Sequence, residues 1–147
     1  MNSRNVLLWL HILVAMVTLG PLVLFDMVLP ATVRSGNVGA VRWVARRNKV
    51  LAPLTAVVAL LGIALVLRDG DDPYTFSDGW ISASLGIYLL MAVNGVAVLE
   101  RTLGRAADRL EAGQDASAEA SRLSLFGALN IVGLLVILWL MVAKPGQ

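Results

Sequence analysis

Four long apolar runs, separated by charged segments, constrain this chain more than any other feature of its sequence. The runs cover residues 6–29, 50–67, 80–99 and 123–142, and each is near or above the ~18–20 apolar residues that cross a bilayer core. Because backbone polar groups in lipid must be satisfied within the segment, each run predicts a helix. The sequence therefore predicts an all-α polytopic membrane protein. We expect an antiparallel bundle of four transmembrane helices that forms a single domain over residues 1–147.

The basic residues are distributed unevenly between the loops. Nine of the twelve lysines and arginines lie between the first and second runs or between the third and fourth. Cytoplasmic loops of membrane proteins carry such an excess, so we expect both termini outside. This pattern explains the positive charge without a nucleic-acid partner. The predicted setting is a lipid bilayer that the chain crosses several times, with either a homo-oligomer or a membrane-complex partner.

His11 is the only histidine of the chain, and it lies inside the first apolar run. An ionisable side chain within a span is a candidate functional site, because buried polarity in lipid is costly. Neutral imidazole can bind haem iron, copper or zinc and can relay protons. A single interhelical hydrogen bond would explain the residue equally well. With no second histidine and no cysteine, the chain alone predicts no complete metal site.

A second set of polar side chains is expected to gather in the cytoplasmic half of the bundle. Counting along antiparallel helices places four residues there: Asp26, Thr55, Asn94 and Asn130. An unpaired carboxylate at that depth costs ~2.5–3.5 kcal/mol on insertion scales. We therefore expect Asp26 to pair with Arg46 or Arg47, or with the two asparagines. The favoured interpretation is a structural cluster that fixes helix register, and the alternative is ion or proton binding.

Small residues four positions apart predict where helix backbones approach closely. Three such pairs occur in the second, third and fourth runs: Ala52 and Ala56, Ser82 and Gly86, and Ser124 and Ala128.

The segment between the second and third runs is acidic, with Asp69, Asp71, Asp72 and Asp78. A calcium-binding EF-hand loop that starts at Asp69 would need glutamate at its twelfth position, where this chain has Trp80. We predict a solvated acidic loop there and no calcium site.

Short motifs along nearly the whole chain resemble those of known membrane proteins. They are LWLHILVAMVTLG (8–20), PLTAVVALLGIAL (53–65), GWISASLGIYLL (79–90) and LMVAKPG (140–146), with Asn130 early in the fourth run. The chain resembles small four-helix bacterial membrane proteins of the uncharacterised "predicted integral membrane protein" type. In plan it is also similar to copper-resistance-D-like proteins and to HemJ-type protoporphyrinogen oxidases.

The second resemblance implies a role for His11. In the HemJ type, the histidine of the opening Leu-His pair is associated with haem binding, and His11 matches that position. The HemJ type also has a lysine shortly after the tryptophan of its third span, whereas this chain reads Trp80-Ile-Ser-Ala-Ser. The resemblance therefore implies haem b as the cofactor at His11 but not porphyrinogen oxidation.

Three functions remain as hypotheses. The first is a non-catalytic subunit, assembly factor or scaffold of a membrane complex, such as a respiratory one. The second is a haem-binding redox protein with His11 as an axial ligand, completed by a dimer partner or a second protein. The third is copper or ion handling, for which a Met-x-x-Met cluster is missing from the sequence.

Overall fold

The computed structural model describes residues 3–68 and 75–146, which form four long helices and no strand. These are α1 (Ser3–Arg34), α2 (Val38–Leu67), α3 (Gly79–Glu111) and α4 (Ser117–Ala143). All four are long and apolar enough to cross a membrane, which confirms the predicted all-α four-helix membrane fold. Each helix extends beyond the apolar run that predicted it. Asp69, Asp71 and Asp72 of the acidic loop lie outside the described residues.

Two short turns at one end of the bundle depend on glycine. Gly36 follows α1 and Gly113 follows α3, and their φ angles of 71° and 68° lie in the left-handed region that favours glycine. The side chain of Asn37 then accepts a hydrogen bond from the backbone N–H of Ala40, at 3.0 Å, and caps the start of α2. These turns hold α1 beside α2 and α3 beside α4.

The turns define the two ends of the bundle. We call the end with the turns after α1 and α3 the basic end, because nine of the twelve basic residues lie there. The other end, which holds both chain termini and the start of α3, is the terminal end. By the positive-inside rule the basic end is predicted to be cytoplasmic, and this orientation stays a prediction.

The helices do not contact one another equally. Helix α1 packs along both α2 and α4, and α3 packs along α4. Helix α2 meets α3 mainly through Arg101–Glu111, and far less through Gly79–Asn94. The bundle is therefore closed at the basic end, whereas α2 and α3 stand apart towards the terminal end.

A π-helical segment, Gly95–Glu100, interrupts α3. It joins the α-helical stretch Gly79–Asn94 to a second one, Arg101–Glu111. A π-helical turn contains more residues than an α-helical turn, so it changes which side chains follow on the same face. Before the segment α3 packs chiefly on α4, and after it α3 also packs on α2.

The most completely buried side chains lie at the basic end. Val41, Ala106 and Ala107 are 0% exposed, and Leu103 and Leu123 are 2% exposed. They belong to one cluster with Leu29, Val33, Leu99, Ala116 and Ala120. Much of this cluster lies beyond the predicted apolar runs, so the helices continue past the membrane as a packed extension.

The predicted small-residue contacts are wrong within this chain. Five of the six residues are exposed, and Ala52 is partly buried. The close approaches use other glycines: a Cβ at Gly62 would lie 3.2 Å from the His11 ring, and one at Gly127 would lie 3.2 Å from Asp26. Spacing shows that two small residues share a helix face, but not which neighbour that face meets.

Candidate functional site

His11 bridges α1 and α2. Its ring Nδ1 donates a hydrogen bond to the backbone carbonyl of Val58, at 2.9 Å, and the side chain is buried with 9% exposed. Gly62 lies one helical turn beyond Val58 on α2. A Cβ on Gly62 would come within 3.2 Å of the imidazole Cε1, so the glycine lets the ring lie against the helix. His11 is therefore a polar contact between two helices within the membrane-spanning part.

The contact with Val58 fixes which ring nitrogen carries the hydrogen. A carbonyl oxygen can only accept, so Nδ1 must be the donor. In a neutral imidazole Nε2 then has the free lone pair. Metal-binding histidines are commonly oriented by this kind of Nδ1–H contact to a backbone carbonyl. The geometry is consistent both with a structural hydrogen bond and with an Nε2 that binds a ligand.

Three of the four predicted polar residues lie together. The Asn94 side-chain nitrogen donates to the Asn130 side-chain oxygen, at 2.8 Å, and to the Phe126 carbonyl, at 3.0 Å. The Asn130 side chain is in turn the polar partner of the Asp26 carboxyl. This amide chain, defined as Asp26, Asn130 and Asn94, links α1, α4 and α3. The Asn94 side-chain oxygen is buried and has no hydrogen-bond partner among the described residues.

The backbone geometry around Asp26 explains why the amide chain can form. Helix α4 has Gly127 where it crosses α1, and a Cβ there would be 3.2 Å from both the Cβ and the carbonyl oxygen of Asp26. Because glycine has no side chain, the two helices come close enough for Asn130, three residues further along α4, to reach Asp26. Among the described residues, Asp26 forms no salt bridge with Arg46 or Arg47, so the asparagine alternative matches the geometry.

Thr55 lies elsewhere. Its hydroxyl donates to the carbonyl of Ala52 on its own helix, at 2.7 Å, and lies 3.3 Å from the Tyr88 hydroxyl on α3. The expectation that Thr55 would join the other three is not met, because α2 packs on α1 and does not contact α4 extensively. Its pairing with Tyr88 is a separate polar contact between α2 and α3.

A charged contact at the basic end was missed by the sequence reasoning. Arg42 on α2 donates to Asp108 at 2.7 Å and to both carboxylate oxygens of Glu111 at 2.8 Å. The hydrogen bond from Arg42 lowers the pKa of the Glu111 carboxyl, and the two carboxylates raise the pKa of the arginine. The sequence does contain a signal for this contact, because Asp108 and Glu111 are three residues apart and therefore share one helix face.

Two further ion pairs occur at the same end. Arg109 lies 3.1 Å from Glu119 and joins α3 to α4, and Lys49 lies 3.9 Å from Glu100 and joins α2 to α3. Glu119 is 7% exposed and lies in the first turn of α4, where the helix dipole favours a negative charge.

Trp43 makes aromatic contacts at the basic end. Its ring packs edge-on against Phe25, and the Arg47 guanidinium lies 5.5 Å from the Trp43 ring centroid.

Comparison with known proteins identifies a family but no characterised relative. A family model described as a predicted integral membrane protein (DUF2269) matches residues 5–145. No curated protein and no solved structure matches the chain. The matched region covers α2, α3, α4 and nearly all of α1, together with His11 and the amide chain. The protein therefore belongs to the DUF2269 family of predicted integral membrane proteins.

Proposed function

We propose that this protein is a non-catalytic subunit, assembly factor or scaffold of a larger membrane complex in the bacterial cytoplasmic membrane. The proposal rests on what the polar side chains inside the membrane-spanning part contact. His11 binds a backbone carbonyl of α2, and the amide chain joins α1, α4 and α3. These contacts favour holding helices in register over acting on a substrate.

The separation of α2 and α3 supports the same proposal. Towards the terminal end α2 packs mainly on α1, and large apolar side chains face outward from both helices. Leu60 is 63% exposed on α2, and Leu89 and Leu90 are 56% and 72% exposed on α3. Such faces can pack against lipid or against the helices of a partner, where van der Waals contact drives association. A scaffold needs surfaces of this kind.

The test is site-specific photo-crosslinking of the full chain in its native membrane. A crosslinker at Leu60 probes the separated part of α2, and one at Leu125, 59% exposed on α4, is the matched control. We expect Leu60 to give one discrete protein adduct that co-purifies at fixed stoichiometry, and Leu125 to give none. A monomeric protein that crosslinks only to lipid at both positions would contradict the proposal.

Haem binding at His11 is the second candidate function. It is favoured by the Nδ1–H contact with Val58, which leaves the Nε2 lone pair available. The donor set fits the group only in part, because a single imidazole supplies one axial position. A second protomer or a partner would supply the other. When bound, haem would provide one-electron chemistry, and this chain would orient it through the fixed tautomer of His11.

A reduced-minus-oxidised absorption spectrum tests this candidate. Protein purified from cells supplied with haem should show a Soret band that His11→Ala abolishes. Thr18→Ala is the matched control, since Thr18 is 2% exposed on the same helix and its hydroxyl donates to the carbonyl of Val14, within that helix. A wild-type spectrum without a Soret band would remove haem binding and leave the crosslinking test of the scaffold proposal unaffected.

A further inference from the structure

An open groove runs between α2 and α3 at the basic end. It has a volume of about 360 Å³ and is lined by Arg42, Ala45, Arg46, Lys49 and Glu111. The four α2 residues are spaced three, four and seven positions from the first, so they share one helix face. The groove is therefore a feature of two packed helices and not of a loop.

The register of the ion pairs shows what lies opposite Ala45 and Arg46. Arg42 pairs with Asp108, and Lys49 pairs with Glu100. Because the helices are antiparallel, the part of α3 between these pairs is centred on Gly104. Nothing lies within 4 Å of the position that a Cβ on Gly104 would occupy. The missing side chain leaves room between the two ion pairs.

The charge around this room is predominantly positive. The facing stretches, 42–49 of α2 and 100–111 of α3, contain seven basic residues against three acidic ones; the basic residues are Arg42, Arg46, Arg47, Lys49, Arg101, Arg105 and Arg109, and the acidic ones are Glu100, Asp108 and Glu111. Arg42 is held in place by its two carboxylates. Arg46, Arg101 and Arg105 are exposed and form no ion pair among the residues that the structure describes. The excess charge favours an anionic ligand.

The depth of the groove identifies the class of anion. The apolar runs end at Val50 on α2 and at Leu99 on α3, so the groove lies immediately beyond the hydrocarbon core, at the level of lipid phosphates. Below it, Val50 and Val96 are 62% and 60% exposed and extend the surface into the apolar layer. A lipid bound here would have its phosphate beside the arginines and its acyl chains along these side chains.

We propose that the groove between α2 and α3 binds the phosphate headgroup of an anionic phospholipid from the adjoining leaflet. Arg46 and Lys49 contact the phosphate from α2, and Arg101 and Arg105 add positive charge from α3. Arg42, fixed by Asp108 and Glu111, forms the far wall. Basic pockets between transmembrane helices on the cytoplasmic side recognise anionic headgroups by the same electrostatics.

Native mass spectrometry of the detergent-purified full chain tests the proposal. The protein is titrated with phosphatidylglycerol and, separately, with phosphatidylcholine. We expect a saturable single adduct with phosphatidylglycerol and weaker binding of phosphatidylcholine. The double variant Arg46→Gln/Lys49→Gln should bind phosphatidylglycerol about tenfold more weakly. Both side chains are exposed, so the variant should keep the helical circular dichroism and the elution volume of the wild type.

The control removes the same charge elsewhere at the basic end. Arg34 and Arg122 are exposed and do not line the groove, and Arg34→Gln/Arg122→Gln should bind phosphatidylglycerol as the wild type does. Equal loss in both double variants would mean diffuse attraction and overturn the site. Equal binding of the two lipids would also overturn it. If inorganic phosphate binds in the groove while neither lipid is preferred, the ligand is a soluble phosphate and the lipid assignment is wrong.

Discussion

The two ends of the bundle are built differently. At the basic end all four helices meet around side chains that are almost fully buried, and ion pairs join α2 to α3 and α3 to α4. At the terminal end α2 and α3 stand apart, and among the residues that the structure describes the buried hydrophobic side chains are fewer and less enclosed. Ile81 is 7% exposed there, and Ile137 and Leu140 are each 8% exposed.

The difference between the two ends shows where hydrophobic burial stabilises the bundle and where close contacts and hydrogen bonds do. Beyond the hydrocarbon core water is present, so burial of apolar side chains drives packing in the extension. Within the lipid that driving force is absent, because the alternative surroundings of a leucine are equally apolar. There the helices are held by close contacts at Gly62 and Gly127 and by hydrogen bonds from His11 and the amide chain.

The largest expected effect is at the centre of the basic end. Leu103→Ala should lower the free energy of unfolding by about 2–5 kcal/mol, because it leaves a cavity in a core that four helices enclose. Denaturant titration in detergent micelles measures the change. Leu90→Ala is the matched control on the same helix, since Leu90 is 72% exposed. Equal losses in the two variants would contradict the difference between the ends.

A methyl group at the crossing of α1 and α4 should have the next largest effect. Gly127→Ala places a Cβ 3.2 Å from the Asp26 carbonyl oxygen, and overpacking of this kind costs about 1–3 kcal/mol. The comparison variant is Gly86→Ala, because nothing lies within 4 Å of that Cβ position. Thermal unfolding should separate the two, and a Gly127→Ala protein as stable as Gly86→Ala would show that the helices do not cross closely here.

The hydrogen bond of His11 should contribute less. His11→Ala removes one interhelical contact within lipid, for which the expected loss is about 0.6–2 kcal/mol. Met16→Ala changes a side chain of the same helix that is 70% exposed, and it should lie close to the wild type in the same denaturant assay. A loss for His11→Ala as large as that for Leu103→Ala would mean that the terminal end is not the weaker one.

Lowering the pH should destabilise the basic end. We expect this to be the smallest of the four effects, because the carboxylates involved are exposed to solvent. Arg42 lowers the pKa of Glu111, and the Ser117 hydroxyl and N–H lower the pKa of Asp115. A carboxylate with a lowered folded-state pKa stabilises the fold above its ordinary pKa, and this contribution is lost as the pH falls through the lower value.

The unfolding midpoint should therefore fall as the pH drops below the ordinary carboxylate range. Arg42→Gln should reduce this dependence, because Glu111 then loses its partner, and Arg105→Gln should not. Denaturant midpoints at a series of pH values measure both variants. An unchanged pH dependence in Arg42→Gln would indicate that its ion pairs do not stabilise the basic end.

The membrane-spanning fold could be predicted because each span is encoded locally. A run of about 20 apolar residues needs no knowledge of its neighbours to be recognised as a helix. The same local view predicted that Asp26, Asn94 and Asn130 would lie at similar depth. The prediction was wrong for Thr55, which lies at the same depth but belongs to α2. Depth alone does not specify which helices are adjacent.

Helix contacts were harder to predict for a physical reason. The apolar runs are hydrophobic all round, so periodicity does not distinguish a face towards lipid from a face towards protein. Ser82 and Gly86 have the spacing of a contact surface, yet they are exposed. Gly62 and Gly127 are isolated glycines, and their importance is visible only from the side chains opposite them, His11 and Asp26.

The π-helical segment of α3 holds one residue more than a regular α-helix would need between Asn94 and Leu103. Deletion of one residue within Gly95–Glu100 would therefore let the segment become α-helical while both halves of α3 keep their directions. Asn94 would keep its contact with Asn130, and Leu103 would stay in the core. Each residue of an α-helix turns the direction of the side chains by about 100°, so a deletion in the regular helix on either side would rotate one half of α3 against the other. Loss of one residue is thus expected to be tolerated within this segment and not beside it.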